Sequence, residues 1–349
     1  MKRIAAFISV AISVLCVMLC VACRVEREHE HSFVSYVYND DATCLDDGTE
    51  TAKCEHCVVT DTRIKPGTAT GEHDYIDYVC SACKTIEPSA PYTPGLRYIP
   101  IADGDDIIGY SVNGYYIQNA AYIKIPAVHE DKPILTILED AFYNLSDIIS
   151  AEIPDGVTYI GRRAFAACIN LAKVTIPQSV TDIGYYSFGF CGMLTRITIP
   201  SGVTEIKYGT FMGCAGLSRI DLSNGLTTIG ERAFEECVGL TEIDLPESVT
   251  TVENSAFCRC SGLTRISMPS VTSIGRSVFS ECEKLSRVSV GSSLTTIEDG
   301  AFDYCHNLSR IYYNGTKAQW QAINKSDVIF YAYDYTIFCT DGKLTKSDI

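Results

Sequence analysis

The sequence contains few basic residues for its size. Lys and Arg number 28 against 43 Asp and Glu, so the formal net charge is -15. Proteins whose main partner is nucleic acid need a basic surface that binds phosphates. The composition therefore excludes nucleic acid as the main partner.

Histidine is also scarce, with six residues in a chain of 349. Only His129 and His306 fall in the solenoid region described below, and neither has a nucleophile at a fixed spacing. The chain also lacks a Gly-rich phosphate loop and a metal-binding helix motif. We therefore expect that the protein is not an enzyme.

The N-terminus has the features of an export signal. A short basic start precedes an apolar run from Ile4 to Ala22, and the chain becomes polar directly after Cys23. These features predict a cleaved signal peptide over residues 1–22.

The sequence at Cys23 resembles a bacterial lipobox, although Cys20 stands where that pattern usually has leucine. The lipobox implies lipidation of Cys23 and attachment to a membrane through a lipid anchor. Plain secretion and an uncleaved membrane anchor are the alternatives, and each places the protein outside the cytoplasm.

A repeat of 22 or 23 residues occupies most of the chain. Its phenylalanines are Phe142, Phe165, Phe188, Phe211, Phe234, Phe257, Phe279 and Phe302. Its cysteines are Cys168, Cys191, Cys214, Cys237, Cys260, Cys282 and Cys305. A period of this length is typical of a solenoid, in which each coil covers the apolar core of its neighbour. We expect the cysteines to be buried reduced thiols, because stacked residues with parallel Cβ vectors aim their sulfurs poorly for disulfides.

The strand of one coil shows how the repeat is arranged. Leu194, Ile197 and Ile199 are expected to point into the core. Alternation along the strand then places Arg196 and Thr198 on the opposite face.

Two further pieces complete the coil. Val203–Ile206 is predicted as a second extended piece, and Thr210–Leu217 as one helical turn because its apolar residues lie three and four apart. A glycine follows the second piece in most coils, where it permits a backbone turn that a side chain would obstruct. These glycines are Gly161, Gly184, Gly230 and Gly275.

A threonine column in the second piece is interpreted as ordinary sheet surface. It contains Thr158, Thr181, Thr204, Thr227, Thr250, Thr272 and Thr295.

The phrase Ile-Gly-x-x-Ala-Phe-x-x-Cys, followed by Leu-x-x-Ile-x-Ile-Pro, is carried nearly intact by Ile160–Pro177 and Ile229–Pro246. It resembles the BspA-like, or Treponema-type, leucine-rich repeat. The resemblance implies a β-rich fold of the α/β class, a right-handed solenoid of about eight to nine coils. N- and C-terminal caps would close the solenoid, and a small Cys/His module would precede it.

The resemblance also implies a domain division and a function. Residues 91–133 are predicted as the N-terminal cap and first coil, 134–313 as the repeats and 314–349 as the C-terminal cap. Because the family occurs on bacterial surfaces, it implies an adhesin-like, cell-surface protein that presents a solenoid face to an extracellular protein or glycan. The alternative is a structural or accessory envelope lipoprotein that binds a partner of the same cell. We expect a monomer.

Two columns of side chains project from the predicted strand face, and we call them together the strand-face strip. The first column contains Lys173, Arg196, Arg219, Glu242, Arg265, Arg287 and Arg310. The second column contains Thr175, Thr198, Asp221, Asp244, Ser267, Ser289 and Tyr312. Because adjacent strands lie about 4.8 Å apart, the basic groups lie within one Debye length of each other. On an acidic protein, this is a local reversal of the sign of charge.

Two interpretations of the strip stay open. As a recognition surface, it would bind an acidic or polyhydroxylated partner, such as a glycan or a host protein, through arginines that fork onto carboxylates or sulfates. As a solvated face, its charges would pair with Asp221, Asp244 and Glu242 and contribute little. The predicted binding residues are Lys173, Arg196, Thr198, Arg219, Asp221, Glu242, Asp244, Arg265, Arg287, Arg310 and Tyr312.

Residues 23–90 are predicted to form a separate Cys/His-rich module with a linker. So short and polar a segment needs a cross-link to become ordered. Two Cys-x-x-Cys pairs approach the spacing of a structural zinc site, and disulfides are the alternative in an oxidising exterior. The first zinc ligand set is Cys54, Cys57, Cys80 and Cys83. The variant set is Cys44, Cys54, Cys57 and His73. Four protein ligands leave no open position for catalysis, so the site is expected to be structural.

Overall fold

A computed structural model of the chain describes residues 92–114, 120–325 and 334–348 in full. It also describes the backbone of five short strands between residues 37 and 80. The chain divides into two compact units, Met1–Lys84 and Thr85–Ile349.

The first unit contains two small antiparallel sheets. Three strands pair in the order β1–β2–β3, and two further strands, β4 and β5, form a hairpin. The strands are β1 (Val37–Tyr38), β2 (Thr49–Lys53), β3 (Thr60–Ile64), β4 (Tyr75–Ile76) and β5 (Val79–Cys80). The lipidation site and the side chains of both zinc ligand sets lie outside the described residues. The anchor, the zinc site and the disulfides therefore stay predictions.

The second unit begins with a cap made of two hairpins and a short strand. The first hairpin joins β6 (Arg97–Asp103) to β7 (Asp106–Asn113), and β8 (Tyr122–Lys124) follows. The second joins β9 (Val128–His129) to β10 (Lys132–Ile137). Its two turn residues, Glu130 and Asp131, have φ of 48° and 60°, as tight hairpin turns require. Strand β10 pairs parallel with β7 on one side and with Tyr159–Ile160 of the following coil on the other, so the cap leads directly into the solenoid.

Each coil of the solenoid contributes one strand to each of two rows of parallel strands, called here the first and second ladders, and the strand pairing is interrupted at two places in the first row and at one place in the second. The first-ladder strands are β11 (Ser150–Glu152), β13 (Lys173–Thr175), β15 (Arg196–Thr198), β17 (Arg219–Asp221), β19 (Glu242–Asp244), β21 (Arg265–Met268), β23 (Arg287–Gly291) and β25 (Arg310–Asn314). The second-ladder strands are β12 (Tyr159–Ile160), β14 (Asp182–Ile183), β16 (Glu205–Ile206), β18 (Thr228–Ile229), β20 (Thr251–Val252), β22 (Ser273–Ile274) and β24 (Thr296–Ile297). The structure is β-rich with almost no helix and forms a β-solenoid of about nine turns, so the predicted fold class is confirmed.

The repeat phenylalanines form a continuous stack inside the solenoid. Neighbouring rings, from Phe142 to Phe302, have centroids 4.9 to 5.7 Å apart and are nearly parallel. All eight phenylalanines are at most 2% exposed. Each ring therefore covers the ring of the coil before it, and only the two ends of the stack need a cap.

The repeat cysteines lie in a second buried column, and all of them are free thiols, as predicted. They are more than small apolar groups, because each thiol donates to a phenylalanine carbonyl of the preceding coil. The Cys214 Sγ lies 3.1 Å from the Phe188 oxygen, and the other six distances are 3.0 to 3.2 Å. Burial raises the pKa of Cys168, Cys214 and Cys305 to about 12. These thiols are therefore uncharged and unreactive near neutral pH.

The prediction of a helical turn over Thr210–Leu217 is wrong. In every coil from Phe142 to Phe302, the residues two before and two after the phenylalanine have positive φ, as Gly209 and Gly213 do at 60° and 70°. An α-helix needs negative φ throughout, so the segment is a series of overlapping turns. Apolar residues three apart still point inward, because each turn bonds back three residues, from the Cys214 N–H to the Phe211 oxygen at 3.1 Å.

The predicted glycines are needed for a different reason than the one expected. None of the four has the positive φ that favours glycine. Instead, a Cβ on Gly161 would lie 2.5 Å from the Glu139 nitrogen, and one on Gly184 would lie 2.6 Å from the Arg162 nitrogen. Such distances are far shorter than van der Waals contact. These glycines therefore allow the backbone of the preceding coil to approach closely.

The C-terminal cap closes the phenylalanine stack with a helix and a hairpin. Helix α1 (Lys317–Gln321) begins after Thr316, whose side chain forms a capping box with Gln319. The Trp320 ring is 1% exposed and meets Tyr313 edge to face at 5.3 Å. Strand β26 (Asn324–Lys325) ends the second ladder, while β27 (Thr336–Cys339) extends the first. An antiparallel strand, β28 (Gly342–Thr345), and a 3-10 turn, Lys346–Asp348, complete the cap.

Candidate ligand-binding face

The first ladder forms the strand-face strip. Its strands have the burial pattern that the sequence predicts, since Ile197 is 2% exposed between the exposed Arg196 and Thr198. Equivalent residues of adjacent strands pair directly within β11–β13, β15–β17 and β19–β25, as Arg196 pairs with Arg219, whereas no strand pairing joins β13 to β15 or β17 to β19. The two columns of the strip project in register within each of these three groups of strands.

Acidic side chains of the strip neutralise its middle. Asp221 receives hydrogen bonds from Arg196 at 2.7 and 3.0 Å and from Arg219 at 3.0 Å. These two arginines, Arg196 first, lower the pKa of Asp221. One coil further on, Arg265 lies 3.1 Å from Glu242 and 2.9 Å from Asp244. The charges in this part of the strip are satisfied within the protein.

The C-terminal end of the strip has a different arrangement. The Arg287 guanidinium lies over the Tyr312 ring at 5.4 Å, and Tyr312 stacks on Phe338 at 4.9 Å. The Lys343 ammonium lies over the Phe338 ring at 4.9 Å. Among the residues that the structure describes, no carboxylate lies within ion-pair distance of Arg287 or Arg310. Two cations of the strip therefore lack an acidic partner there.

A groove of about 400 Å³ runs beside this end of the strip. Its lining includes the hydroxyls of Ser267 and Ser289 and the amide of Asn314, besides the rings of Tyr312 and Phe338. The first-ladder strands are longer here, with five residues in β23 and β25 against three in β11 to β19. Tyr312 and Phe338, the rings over which Arg287 and Lys343 lie, therefore also line the groove.

Sequence reasoning missed Phe338 and Lys343 as part of this face. Both belong to the C-terminal cap, and residues 315–335 interrupt the 23-residue period before β27. The apolar residues around Ile337 could have indicated a further strand of this face. In the structure, Ile337 pairs with Ile311 and Phe338 pairs with Tyr312.

The threonine column uses its hydroxyl donors within the sheet. Thr227 donates to the Thr204 carbonyl at 3.0 Å, and Thr295 donates to the Thr272 carbonyl at 3.0 Å. Each bond joins one coil to the preceding one. The geometry agrees with the interpretation of this column as sheet surface rather than as a lattice-binding site.

Another groove, also about 400 Å³, lies on the turn side of the coils. Phe190 and Val238 are exposed beside it, and Arg259 bridges Glu236 and Glu281 at 3.3 and 3.2 Å. The cation of this groove, Arg259, is thus already paired, which distinguishes the groove from the C-terminal end of the strip.

The described residues contain neither a candidate metal site nor a candidate membrane span. Within residues 92–114, 120–325 and 334–348, no group of His, Cys, Asp and Glu could hold a metal ion. In the same part of the chain, no helix is long and apolar enough to cross a membrane.

A solenoid of stacked coils with a strict repeat of 22 or 23 residues is the architecture of leucine-rich-repeat proteins. The family model for the BspA type leucine rich repeat region matches residues 135–264 and 228–328, in six copies and over more than half of the chain. The chain therefore belongs to the BspA-type leucine-rich-repeat family. No curated protein matches it.

Solved structures similar to this chain come from several bacteria. The leucine rich repeat protein TpLRR of T. pallidum has 22% identity and a TM-score of 0.45, and the match covers 62% of this chain and 90% of that one. A leucine rich cell surface protein of Faecalibacterium prausnitzii has 24% identity and a TM-score of 0.34, over 67% of this chain and 97% of that one. The pneumococcal vaccine antigen PcpA has 18% identity and a TM-score of 0.33, over 66% of this chain and 80% of that one.

Proposed function

We propose that this protein is an adhesin-like, cell-surface interaction protein whose strand face binds an extracellular protein or glycan. The observation that carries the proposal is the C-terminal end of the strand-face strip. There, Arg287 and Arg310 lack an acidic partner among the described residues, and Arg287 lies over Tyr312, a ring that lines the groove. Membership of a repeat family that is typically non-enzymatic supports binding rather than catalysis.

The repeat architecture supports the same proposal. A solenoid buries one face of each coil against the next and leaves a long outer surface, which repeat proteins use for binding. The interior of this solenoid is nearly identical from coil to coil, whereas the strip changes from Arg–Asp pairs to an arginine–tyrosine contact. Because the outer residues differ between coils while the interior does not, we expect the outer residues to recognise the partner.

Export and anchoring form part of the proposal. A lipid anchor at Cys23 would hold the protein on the outside of the cell as a monomer, and a secreted form is the alternative. The Cys/His module would be held by a structural zinc ion or by disulfides. Metal analysis of residues 24–95, combined with thiol alkylation, tests this part. The absence of both metal and protected thiols would contradict zinc and disulfides together.

The function is tested by screening residues 24–349 on an array of matrix proteins and glycans. A matched variant carries glutamate in place of Arg287 and Arg310, and its circular dichroism shows whether the fold is retained. We expect the parent to bind in a salt-sensitive manner and the variant to lose binding. If neither binds, and the parent instead co-purifies with cell wall or a neighbouring membrane protein at high salt, the accessory envelope role replaces the adhesin-like one.

A further inference from the structure

The strand-face strip contains a run of three arginines in register, Arg265, Arg287 and Arg310, besides the separate pair Arg196 and Arg219. Arg196 pairs in register with Arg219, and Arg287 pairs in register with Arg310. In each pair, the two residues occupy the first position of adjacent parallel strands. Their guanidinium groups therefore project from the same face at the spacing of one strand.

Only the first pair is closed by a carboxylate. Asp221, two residues after Arg219, accepts from Arg196 through Oδ2 at 2.7 Å and from Arg219 through Oδ1 at 3.0 Å. The residue two positions after Arg310 is Tyr312, which has no carboxylate. We call Arg196, Arg219 and Asp221 the closed clamp, and Arg287 with Arg310 the open clamp.

The strand before each arginine also determines whether that arginine has an acidic neighbour. Arg265 is neutralised by Glu242 and Asp244 of the strand before it. The strand before Arg287 has Arg265 and Ser267 at those two positions, so it offers no acid to the open clamp.

The aromatic rings beside the open clamp are already covered. Strand β25 lies between β23 and β27, so Arg287 and Phe338 contact Tyr312 from opposite sides. Phe338 lies in turn between Tyr312 and Lys343. A sugar ring that stacks on an aromatic residue needs a free ring face, and neither ring offers one. The stack instead fixes the Arg287 guanidinium and leaves its N–H groups to an anion.

We propose that the open clamp binds a carboxylate from an acidic, extended segment of a partner protein. Asp221 shows the chemistry within the same molecule, because one carboxylate there accepts from both arginines of a pair. At the open clamp, Tyr312 stands at the equivalent position, so the carboxylate would approach from outside and bind the N–H groups that the ring contact leaves free. The adjacent groove supplies Ser267, Ser289 and Asn314 as hydrogen-bonding groups for the backbone of such a segment. This site rests on the proposed function, since it names the ligand class of the same face.

The test uses the full chain, in mild detergent, and fluorescently labelled hexaglutamate as the probe. We expect binding at low salt that weakens as salt is added. The double variant Arg287→Ala and Arg310→Ala should bind more than about tenfold more weakly, because two charge-assisted contacts are lost. The same substitutions at Arg196 and Arg219, which the fold already neutralises, should leave the affinity within about threefold.

A second pair of variants keeps both arginines. Tyr312→Asp places an internal carboxylate where Asp221 stands in the closed clamp, and it should reduce hexaglutamate binding more than about tenfold. Tyr312→Asn removes the same ring without adding charge, so it should weaken binding much less than Tyr312→Asp does. Thermal unfolding of both variants shows whether loss of the ring damages the fold.

Three results would overturn the inference. The first is no binding of hexaglutamate by a folded parent, and the second is equal loss with Tyr312→Asn and Tyr312→Asp. The third is binding of a sulfated oligosaccharide, in the absence of hexaglutamate binding, that depends on the same arginines.

If array ligands still bind when hexaglutamate does not, the proposed function stands and the acidic-peptide clamp fails. If hexaglutamate behaves as expected and no extracellular ligand is found, the clamp stands and the adhesin-like role fails.

Discussion

The interior and the strand face of this solenoid are built from the same coils but follow different rules. Inside, every coil from Phe142 to Phe302 repeats one ring contact and, from Cys168 onward, one thiol–carbonyl hydrogen bond. On the strand face, the same position is Lys, Arg or Glu, and its neighbour is Thr, Asp, Ser or Tyr. Substitutions inside should therefore change stability, whereas substitutions on the face should change binding and leave stability nearly unaltered.

The largest expected effect on stability comes from alkaline pH, through the cysteine column. Burial raises the pKa of Cys168, Cys214 and Cys305 from the ordinary 9.0 to about 12. Above pH 9.0 the unfolded chain loses these protons while the folded chain keeps them, so stability falls as pH rises. The fall should be about 1.4 kcal/mol per pH unit for each such thiol. Urea unfolding between pH 8 and 11 measures it.

The Cys214→Ala variant provides the control for this pH dependence. The free energy of unfolding of this variant should fall less steeply with pH than that of the parent, by the contribution of one ionising thiol. An unchanged slope in the variant, or a flat profile in the parent, would show that the thiols ionise equally in both states.

Loss of one ring from the stack should have the next largest effect. Phe211→Ala removes a fully buried ring that stacks on Phe188 and Phe234 at 5.7 and 5.5 Å. The free energy of unfolding should fall by about 3–5 kcal/mol. Phe190→Ala removes an identical ring that is 45% exposed and should cost far less. Equal losses for the two variants in urea unfolding would contradict the separation of interior and surface.

A smaller effect is expected where Phe190 covers the next coil. A Cβ on Gly213 would lie 2.5 Å from the Phe190 ring, and Gly213 also has a φ of 70°. Gly213→Ala should therefore lower the free energy of unfolding by about 1–3 kcal/mol. Gly104→Ala shares the positive φ, at 64°, but has open space around the added methyl group, so it measures the backbone effect alone. Gly213→Ala should therefore cost more free energy of unfolding than Gly104→Ala. In a background that already carries Phe190→Ala, the two alanine substitutions should cost the same.

The smallest change in stability is expected on the strand face. Asp221→Asn breaks the exposed ion pairs with Arg196 and Arg219 and should cost less than about 1 kcal/mol at pH 7. Because the folded pKa of Asp221 is lowered, its stabilisation is present above the unfolded pKa and is lost as pH falls through the folded one. Parent and variant should therefore converge in urea unfolding at acid pH. A loss comparable to that of Phe211→Ala would show that the strip is part of the structural framework.

The sequence allowed the solenoid to be predicted because its period is strict. Phenylalanine and cysteine recur with the coil, and their inward direction follows from that regularity. The turns were mistaken for a helix because turns that bond back three residues place Phe211, Cys214 and Leu217 on one side, as a helical turn also does. No residue type at the second turn position indicated positive φ, since Ala167, Phe190 and Glu236 all adopt it.

The candidate site was only partly predictable. The arginine column could be read from the repeat, but which arginines are neutralised depends on where carboxylates project in the folded sheet. Phe338 and Lys343 join the face only because the cap returns to the first ladder after an irregular segment. A contact across such an interruption has no periodic signal.

The most direct test of the central claim is a hexaglutamate titration of Asp221→Asn beside the parent. Asparagine keeps the shape of the aspartate but removes its charge, so the closed clamp becomes a second open one. We expect the stoichiometry to rise from one peptide per chain in the parent to two in the variant. A variant that still binds one peptide, with unchanged affinity, would contradict the claim that a vacant arginine pair on this face is a carboxylate site.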